Sequence, residues 1–145
     1  MIKTVLVVCI GNICRSPMAE GLLKQALPEV NVMSAGLGAL TGKPADAHAI
    51  DLMQELGVDI TGHRAKPLTR SMTTHADLIL VMDNAQRQDI QHLHPATTGR
   101  VFRIGELAKF DVPDPYREAR PAFENVLQLL QRGVEAWVPR IRALR

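Results

Sequence analysis

Apolar and polar residues form two alternating patterns along the chain, and these predict strands and helices in turn. Four short apolar runs have the length and composition of buried strands. The segments between and after them repeat apolar residues at helical spacing. We expect strands at residues 5–10, 30–34, 76–82 and 101–104, and helices from Pro17 to a stop at Pro28, at 46–56, from Asn84 to about His94, and at 122–137.

Capping and turn residues mark the ends of these elements. Ser16 offers a capping oxygen directly before Pro17, and Asn84 offers one for the third helix. Gly57 ends the second helix, and Pro139 should kink or end the last one. Buried strands that alternate with helices predict a parallel sheet covered on both faces. We therefore expect residues 1–145 to form a single α/β domain, a three-layer α/β/α sandwich with a four-stranded parallel sheet.

Composition and charge narrow the classes of function. The chain has 145 residues, 46% apolar and 22% charged, which is typical of a globular domain and excludes a disordered one. A net charge of +2, with 1 Trp, 1 Tyr and 3 Phe, argues against nucleic acid as a partner. No apolar run approaches the roughly 18 residues of a membrane span, and the first run has no cleavage site. We expect a cytoplasmic protein without direct membrane insertion.

The most informative segment is the loop between the first strand and the first helix. Parallel sheets bind ligands where strands end and helices begin, so a site is expected at this position. Short residues there let backbone N–H groups form an anion-binding nest, and the helix start adds unpaired donors. The loop consists of Cys9, Ile10, Gly11, Asn12, Ile13, Cys14, Arg15 and Ser16.

The reactive groups of this loop fit phosphate chemistry. Arg15 can present two parallel N–H donors to two phosphate oxygens. The surrounding donors favour Cys9 as a thiolate, which is the nucleophilic form of cysteine. Ser16 can donate a hydrogen bond to that sulfur and stabilise it as a leaving group. The alternative is that Cys9 is an inert core residue and Arg15 a surface charge, but the strand–turn–helix context favours a phosphate site.

Residues 9–17 resemble the signature of the low-molecular-weight protein tyrosine phosphatases. The resemblance covers nearly the whole chain, through Ser34-Ala35-Gly36, His63, the strand before Asp83, and Asp114-Pro115-Tyr116. Residues 34–40 are most similar to the bacterial branch associated with exopolysaccharide or capsule export. The resemblance implies hydrolysis of phosphotyrosine through a phosphocysteine intermediate, without a metal or another cofactor. It implies as partner a phosphotyrosine protein, namely the tyrosine-rich tail of a membrane tyrosine autokinase.

A proton donor is needed on the far side of the phosphate, because the reaction expels a phenolate. The resemblance assigns this role to Asp114, with Asp111 as a nearby competitor and turn capping as the alternative function of Asp114. The role of Asp83, which ends the third strand near the site, is left open. The resemblance also implies a hydrogen-bond network that supports the loop, with Asn12 at positive φ, and its members are Asn12, Ser16, Ser34 and His63.

Leu37, Leu40 and Tyr116 form the expected rim of the substrate pocket. They could make an apolar slot for a phosphotyrosine ring, or they could be loop-packing residues and a structural tyrosine. Arg117 and Arg120 could favour acidic peptides, or they could be solvated surface charges. The sequence leaves both pairs of interpretations open.

Two rival functions share parts of this pattern. An oxidoreductase of the arsenate reductase type has the same fold and loop, but its cysteine relay continues beyond the loop, and this chain has only Cys9 and Cys14. A phosphotyrosine-binding module without activity is disfavoured, because Cys9, Arg15 and Asp114 are all present. Cys14 is either the partner of Cys9 in a reversible disulfide or a packed thiol.

Overall fold

Four parallel strands form one sheet in the computed structural model, which describes residues 1–144. Arg145, the last residue of the expected domain, lies outside the described residues. Cys9 pairs with Gly36 on one side of the first strand, and Val8 pairs with Val81 on the other, so this strand is central. The strands are β1 (Thr4–Cys9), β2 (Asn31–Gly36), β3 (Leu78–Val81) and β4 (Val101–Arg103), in the spatial order β2-β1-β3-β4.

Helices cover both faces of the sheet. Successive side chains of a strand point to opposite faces, so β1 contributes to two cores. Val5 and Val7 pack in one core, and Leu6 and Val8 pack in the other. This arrangement confirms the predicted three-layer sandwich. In the described part of the chain the helices are α1 (Arg15–Ala26), α2 (Ala47–Glu55) and α5 (Arg120–Ala143) on the first face and α3 (Arg70–His75) and α4 (Asn84–Leu93) on the second.

Two predicted helix caps are wrong. Helix α1 begins at Arg15 after Cys14, without a side-chain cap, so Ser16 lies inside the first turn. Its hydroxyl is free to contact the sulfur of Cys9 for that reason. Helix α4 is capped by Asp83, whose carboxylate accepts a hydrogen bond from the Gln86 N–H at 2.8 Å, and not by Asn84. The side chains of Asp and Asn are both good caps. Asp83 is the cap because the helix already begins at Asn84.

The last helix passes its proline. Helix α5 continues through Pro139 to Ala143, so of the two effects expected of Pro139, a kink or an end of the helix, the end does not occur. The reason is the apolar face of the helix, because Trp137 and Ile141 are both buried in the core on either side of the proline. Their burial outweighs the loss of one backbone hydrogen bond. No helix within residues 1–144 is long and apolar enough to cross a membrane.

Segments that lack an apolar pattern differ most from the expectation. Helix α3 was not predicted, because only Thr73 of its six residues is buried. Thr69 begins it by accepting a hydrogen bond from the Met72 N–H at 3.3 Å. Strand β2 extends beyond the predicted end to Gly36, since its last residues pair with β1, and β3 is shorter than predicted at both ends.

Candidate active site

The loop between β1 and α1 turns its carbonyl groups outward. The Ile13 carbonyl accepts a hydrogen bond from the Asp46 N–H at 2.8 Å, and the Asn12 carbonyl lies 2.6 Å from Nε2 of His63. A trans peptide points its N–H group opposite to its carbonyl, so the N–H groups of residues 10–14 face the inside of the loop. Three further carbonyls accept bonds of 2.9–3.0 Å from the segment after β2, namely Cys9 from Leu37, Ile10 from Gly38 and Gly11 from Leu40.

Cys9 stands at the end of β1 with its sulfur held by a serine. The Sγ atom of Cys9 lies 2.9 Å from Oγ of Ser16. A thiolate has no proton to give, so the Ser16 hydroxyl is the donor once Cys9 is ionised. Asn12 donates from Nδ2 to the same Oγ at 2.7 Å, and its Oδ1 accepts from the Lys66 N–H at 3.0 Å. The Lys66 contact fixes the orientation of the Asn12 amide.

The support behind the loop reaches further than the expected network. Asn12 has φ 59° and donates from Nδ2 to Oγ of Ser34 at 3.0 Å. The Ser34 hydroxyl in turn donates to Oε1 of Glu20 at 2.5 Å, and Oε2 of Glu20 pairs with Lys24 at 2.6 Å. The structure thus brings Asn12, Ser16, Ser34 and His63 together and adds Glu20. Glu20 was missed because a Glu–Lys pair four residues apart is typical of an exposed helix face.

Arg15 is buried, and only one side of its guanidinium group is anchored. Nη1 donates to the Val112 carbonyl at 2.9 Å and lies 3.9 Å from Oδ2 of Asp83. Nη2 lies 3.7 Å from Oδ2 of Asp114. Nε is buried and has no hydrogen-bond partner within residues 1–144. The Nε–Nη2 edge therefore has two donors for a bidentate anion.

Asp114 lies at the cavity, whereas Asp111 does not. The Val112 N–H donates to the Met82 carbonyl at 2.9 Å, which ties the aspartate loop to the end of β3. Asp111 pairs with Arg103 at 3.0 Å. Oδ1 of Asp114 accepts from the Tyr116 N–H at 3.1 Å, so this residue caps a turn and borders the cavity at the same time.

The cavity that Cys9 and Cys14 line, the thiol cavity, has a volume of about 120 Å³. Leu40 and Tyr116 stand exposed at its edge. Leu37 lies outside it and packs against the core that contains Leu6 and Val8. The lining consists of Cys9, Ile10, Gly11, Ile13, Cys14, Arg15, Gly38, Leu40, Asp114 and Tyr116.

The second cysteine of the cavity is a protonated thiol. Burial raises the pKa of Cys14 well above its ordinary value, and the nearby groups of Asp46, Cys9 and Asp114 raise it further. Both cysteines are free. The two sulfurs therefore differ in environment, because Cys9 lies against the Ser16 hydroxyl, whereas desolvation by burial is the largest influence on Cys14.

Comparison with known proteins identifies the family. Residues 4–145 match the family model described as low molecular weight phosphotyrosine protein phosphatase. The chain belongs to this family. It is 64% identical over 144 residues to the probable low molecular weight protein-tyrosine-phosphatase EpsP of Ralstonia nicotianae, with 99% of each chain covered. This agreement confirms the resemblance that the loop and the Asp114 segment predict.

Solved structures of two other bacterial proteins superimpose closely on this phosphatase. Vibrio vulnificus Wzb, in complex with benzylphosphonate, has a TM-score of 0.93 and 38% identity, over 97% of this chain and 99% of that one. The YwlE arginine phosphatase from Geobacillus stearothermophilus has a TM-score of 0.90 and 28% identity, over 97% and 93%. The proteins similar to this chain thus include one named a protein-tyrosine-phosphatase, EpsP, and one named an arginine phosphatase, YwlE.

A larger depression, the glutamate cleft, lies beside the supporting network of the phosphatase. Its volume is about 610 Å³, and Glu20, Ser34 and His63 are on its wall. Among the described residues it shares no lining residue with the thiol cavity. No group of three or more His, Cys, Asp or Glu side chains in residues 1–144 could hold a metal ion.

Gly36, the last residue of β2, joins the phosphate loop of this phosphatase to the segment around Lys66. Its N–H donates to the Lys66 carbonyl at 3.0 Å, and its carbonyl accepts from the Leu68 N–H at 2.9 Å. A Cβ atom at this position would collide with the Ile10 carbonyl. Only glycine allows this close approach of the loop.

Proposed function

We propose that this chain is a protein-tyrosine-phosphatase that acts through a phosphocysteine intermediate on the tyrosine-rich tail of a membrane tyrosine autokinase in exopolysaccharide or capsule production. One observation carries the reaction type. The sulfur of Cys9, the Nε–Nη2 edge of Arg15 and the carboxyl group of Asp114 border the same small cavity, and Nε has no hydrogen-bond partner among residues 1–144. A nucleophile, an anion clamp and a proton donor are the parts that phosphoryl transfer to a thiolate requires.

In the first step, the Cys9 thiolate attacks phosphorus and the bond from phosphorus to the phenolic oxygen breaks. Protonated Asp114 gives its proton to the departing oxygen, so tyrosine leaves as a neutral phenol. The loop N–H groups and the Nε–Nη2 edge of Arg15 bind the equatorial oxygens, where negative charge is spread in the transition state. Because these donors are fixed before substrate arrives, they need little reorganisation.

In the second step, water attacks phosphorus and the bond from phosphorus to sulfur breaks. The Asp114 carboxylate takes a proton from that water, which restores its acid form and yields inorganic phosphate. Ser16 donates to the Cys9 sulfur at 2.9 Å and stabilises it as it leaves as a thiolate. The support from Asn12 holds Ser16 in place for this contact.

The edge of the thiol cavity fits an aromatic phosphate ester. Leu40 and Tyr116 are exposed there and can pack against a phenyl ring. The benzylphosphonate bound by the Vibrio relative carries a phenyl ring and a phosphonate joined by a methylene group, which resembles the ring and phosphate of phosphotyrosine with carbon in place of the ester oxygen. This similarity supports phosphotyrosine over phosphoserine, whose side chain has no ring.

The choice of pathway and location rests on resemblance. Residues 34–40 resemble the branch associated with exopolysaccharide or capsule export, and the EpsP relative is 64% identical. A kinase tail on the inner side of the membrane would be the substrate of that branch. We accordingly place the phosphatase in the cytoplasm.

The test is release of inorganic phosphate from three peptides that differ only in the phosphorylated residue, phosphotyrosine, phosphoserine or phosphoarginine, with a chelator present. We expect rapid release from the phosphotyrosine peptide alone. Cys9→Ser should reduce it to background, because an alcohol is a poor nucleophile at neutral pH. Release mainly from phosphoarginine, or release that persists in Cys9→Ser, would contradict the proposal. A phosphorylated autokinase tail peptide, compared with a scrambled peptide of equal composition, tests the partner.

A further inference from the structure

Two arginines follow the aspartate loop, and the structure separates them. The guanidinium group of Arg120 pairs with Glu55 and lies 3.9 Å from the carboxylate of Glu124. Arg117 forms no ion pair with any carboxylate in residues 1–144. Arg120 is therefore compensated within the fold, whereas the charge of Arg117 is left available to a partner.

Arg117 lies next to the mouth of the thiol cavity. Its guanidinium carbon lies 5.1 Å from the centre of the Tyr116 ring, which is a cation–π contact. Tyr116 lines the cavity together with Cys9 and Asp114. A phosphotyrosine in the cavity would lie beside Tyr116, so the residues next to it in the peptide could reach the guanidinium group of Arg117.

The backbone at Arg117 adds an independent observation. The Glu118 N–H donates to the Pro115 carbonyl at 2.9 Å, which closes a four-residue turn. Within that turn Arg117 has φ 65°, and Tyr116 is not at positive φ, which identifies a type II turn with Arg117 in its third position. That position favours glycine, so an arginine there costs folding free energy. An outlier of this kind at a substrate cavity points to a functional side chain.

On the basis of the proposed function, we propose that Arg117 is a specificity-determining residue that binds an anionic group within one or two residues of the phosphotyrosine. Two sources have this chemistry: the carboxylate of a flanking aspartate or glutamate, and the phosphate of a second phosphotyrosine. A tail rich in phosphotyrosine would supply the second source wherever another phosphotyrosine lies within one or two residues of the target. Arg120 has no part in this recognition, because its charge is already paired.

The test compares kcat/KM for three phosphotyrosine peptides with glutamine, glutamate or a second phosphotyrosine beside the target residue. Hydrolysis of a small aryl phosphate, which has no flanking residues, shows separately whether the enzyme is active. We expect the wild type to prefer glutamate over glutamine about two- to fivefold, as for an exposed ion pair, and the preference should fall as salt is added. A flanking phosphate should give about a tenfold preference, because charge-assisted bonds to phosphate are stronger.

Substitutions of Arg117 and Arg120 distinguish the effect of the Arg117 charge from the effects of its backbone conformation and of a nearby arginine. Arg117→Ala should abolish both preferences, and Arg117→Lys should keep part of them. Arg117→Gly should abolish them and also raise the melting temperature by about 2–4 °C, because glycine accepts the left-handed backbone. Arg120→Ala is the matched control and should keep the wild-type ratios.

Preferences that survive Arg117→Ala, or that Arg120→Ala removes equally, would overturn the proposal for Arg117. Wild-type enzyme that turns over the aryl phosphate but does not discriminate among the peptides would also overturn it and leave the proposed function intact. Absence of aryl phosphate turnover would instead contradict the proposed function itself.

Discussion

The thiol cavity and the glutamate cleft lie near the same loop, and they differ in whether their polar groups have hydrogen-bond partners. In the cleft, Glu20 is satisfied by Ser34 and Lys24, and Asp59 accepts two hydrogen bonds from Thr61. In the cavity, Nε of Arg15 is buried without a partner among residues 1–144. The cavity is about a fifth as large as the cleft, at 120 against 610 Å³.

Of the two depressions, the smaller one holds the buried donor without a partner and also borders Cys9 and Asp114, so volume alone does not identify the candidate site. Burying a donor without a partner costs free energy, and an anion bound in the cavity would give Nε of Arg15 the partner that it lacks. The cleft has the opposite character, because its polar groups bond to each other and hold the loop. Substitutions at the cavity should therefore lower the rate of catalysis, whereas substitutions at the cleft should lower the stability of the fold.

The largest expected effect is on the cavity side. Asp114→Asn should lower kcat by about 10²–10⁴-fold for aryl phosphates with basic leaving groups and much less for those with acidic leaving groups. The reason is that an amide cannot protonate a departing phenolate. A series of substituted aryl phosphates measures this as a steeper dependence on leaving-group basicity.

Asp111→Asn is the matched control for that series. Asp111 lies on the same loop but pairs with Arg103 outside the cavity, so its substitution should leave the dependence on leaving group as in the wild type. An equal fall in rate across the whole series for Asp114→Asn would exclude the acid role.

An intermediate effect is expected on the cleft side. Ser34→Ala removes the hydroxyl that accepts from Asn12 and donates to Glu20, so the buried Asn12 and the partly buried Glu20 each lose a bond. We expect a loss of about 1–3 kcal/mol in the free energy of unfolding, measured with urea. The leaving-group dependence should keep its wild-type slope, because no proton donor has changed. Ser71→Ala, at an exposed position of α3, should stay within about 0.5 kcal/mol of the wild type. A steeper leaving-group slope in Ser34→Ala would remove the distinction between the two sides.

The smallest expected effect is a difference in alkylation between the sulfurs of Cys9 and Cys14, which both line the cavity. Because burial raises the pKa of Cys14, its thiol stays protonated at neutral pH and should resist iodoacetamide. Mass spectrometry should find one label on the folded wild type at pH 7 and none on folded Cys9→Ser. In urea, where Cys14 is exposed, Cys9→Ser should take up one label. Labelling of folded Cys9→Ser at pH 7 would show that Cys14 is reactive.

The order and type of the main elements could be predicted because apolar patterns determine them. The unbroken run in β1 must be buried on both faces, which requires helices on each side. Helix α3 could not be predicted, since a single buried threonine leaves no periodicity. The continuation of α5 past Pro139 was also unpredictable, because tertiary packing of Ile141 and not local preference decides it.

The candidate site was predictable where side-chain chemistry defines it and not where the backbone does. Cys9, Arg15 and Asp114 are residue types that phosphate chemistry requires, and the structure brings them to one cavity. The Val112 carbonyl that anchors Arg15 could be contributed by any residue type, so no sequence signal marks it. At Leu37 the sequence leaves a choice between a pocket rim and loop packing, and the structure packs this side chain against the core that contains Leu6 and Val8.

Gly36 limits how the phosphate loop could be transplanted into another protein. A graft of residues 9–16 alone would leave behind strand β2, which ends at Gly36. Gly36 has no side chain, and this makes room for the Ile10 carbonyl. The graft would also leave behind the Lys66 N–H that orients Asn12 and the Lys66 carbonyl that binds Gly36. The smallest portable unit is therefore discontinuous in sequence: the loop, the end of β2 and the segment around Lys66 would have to be moved together.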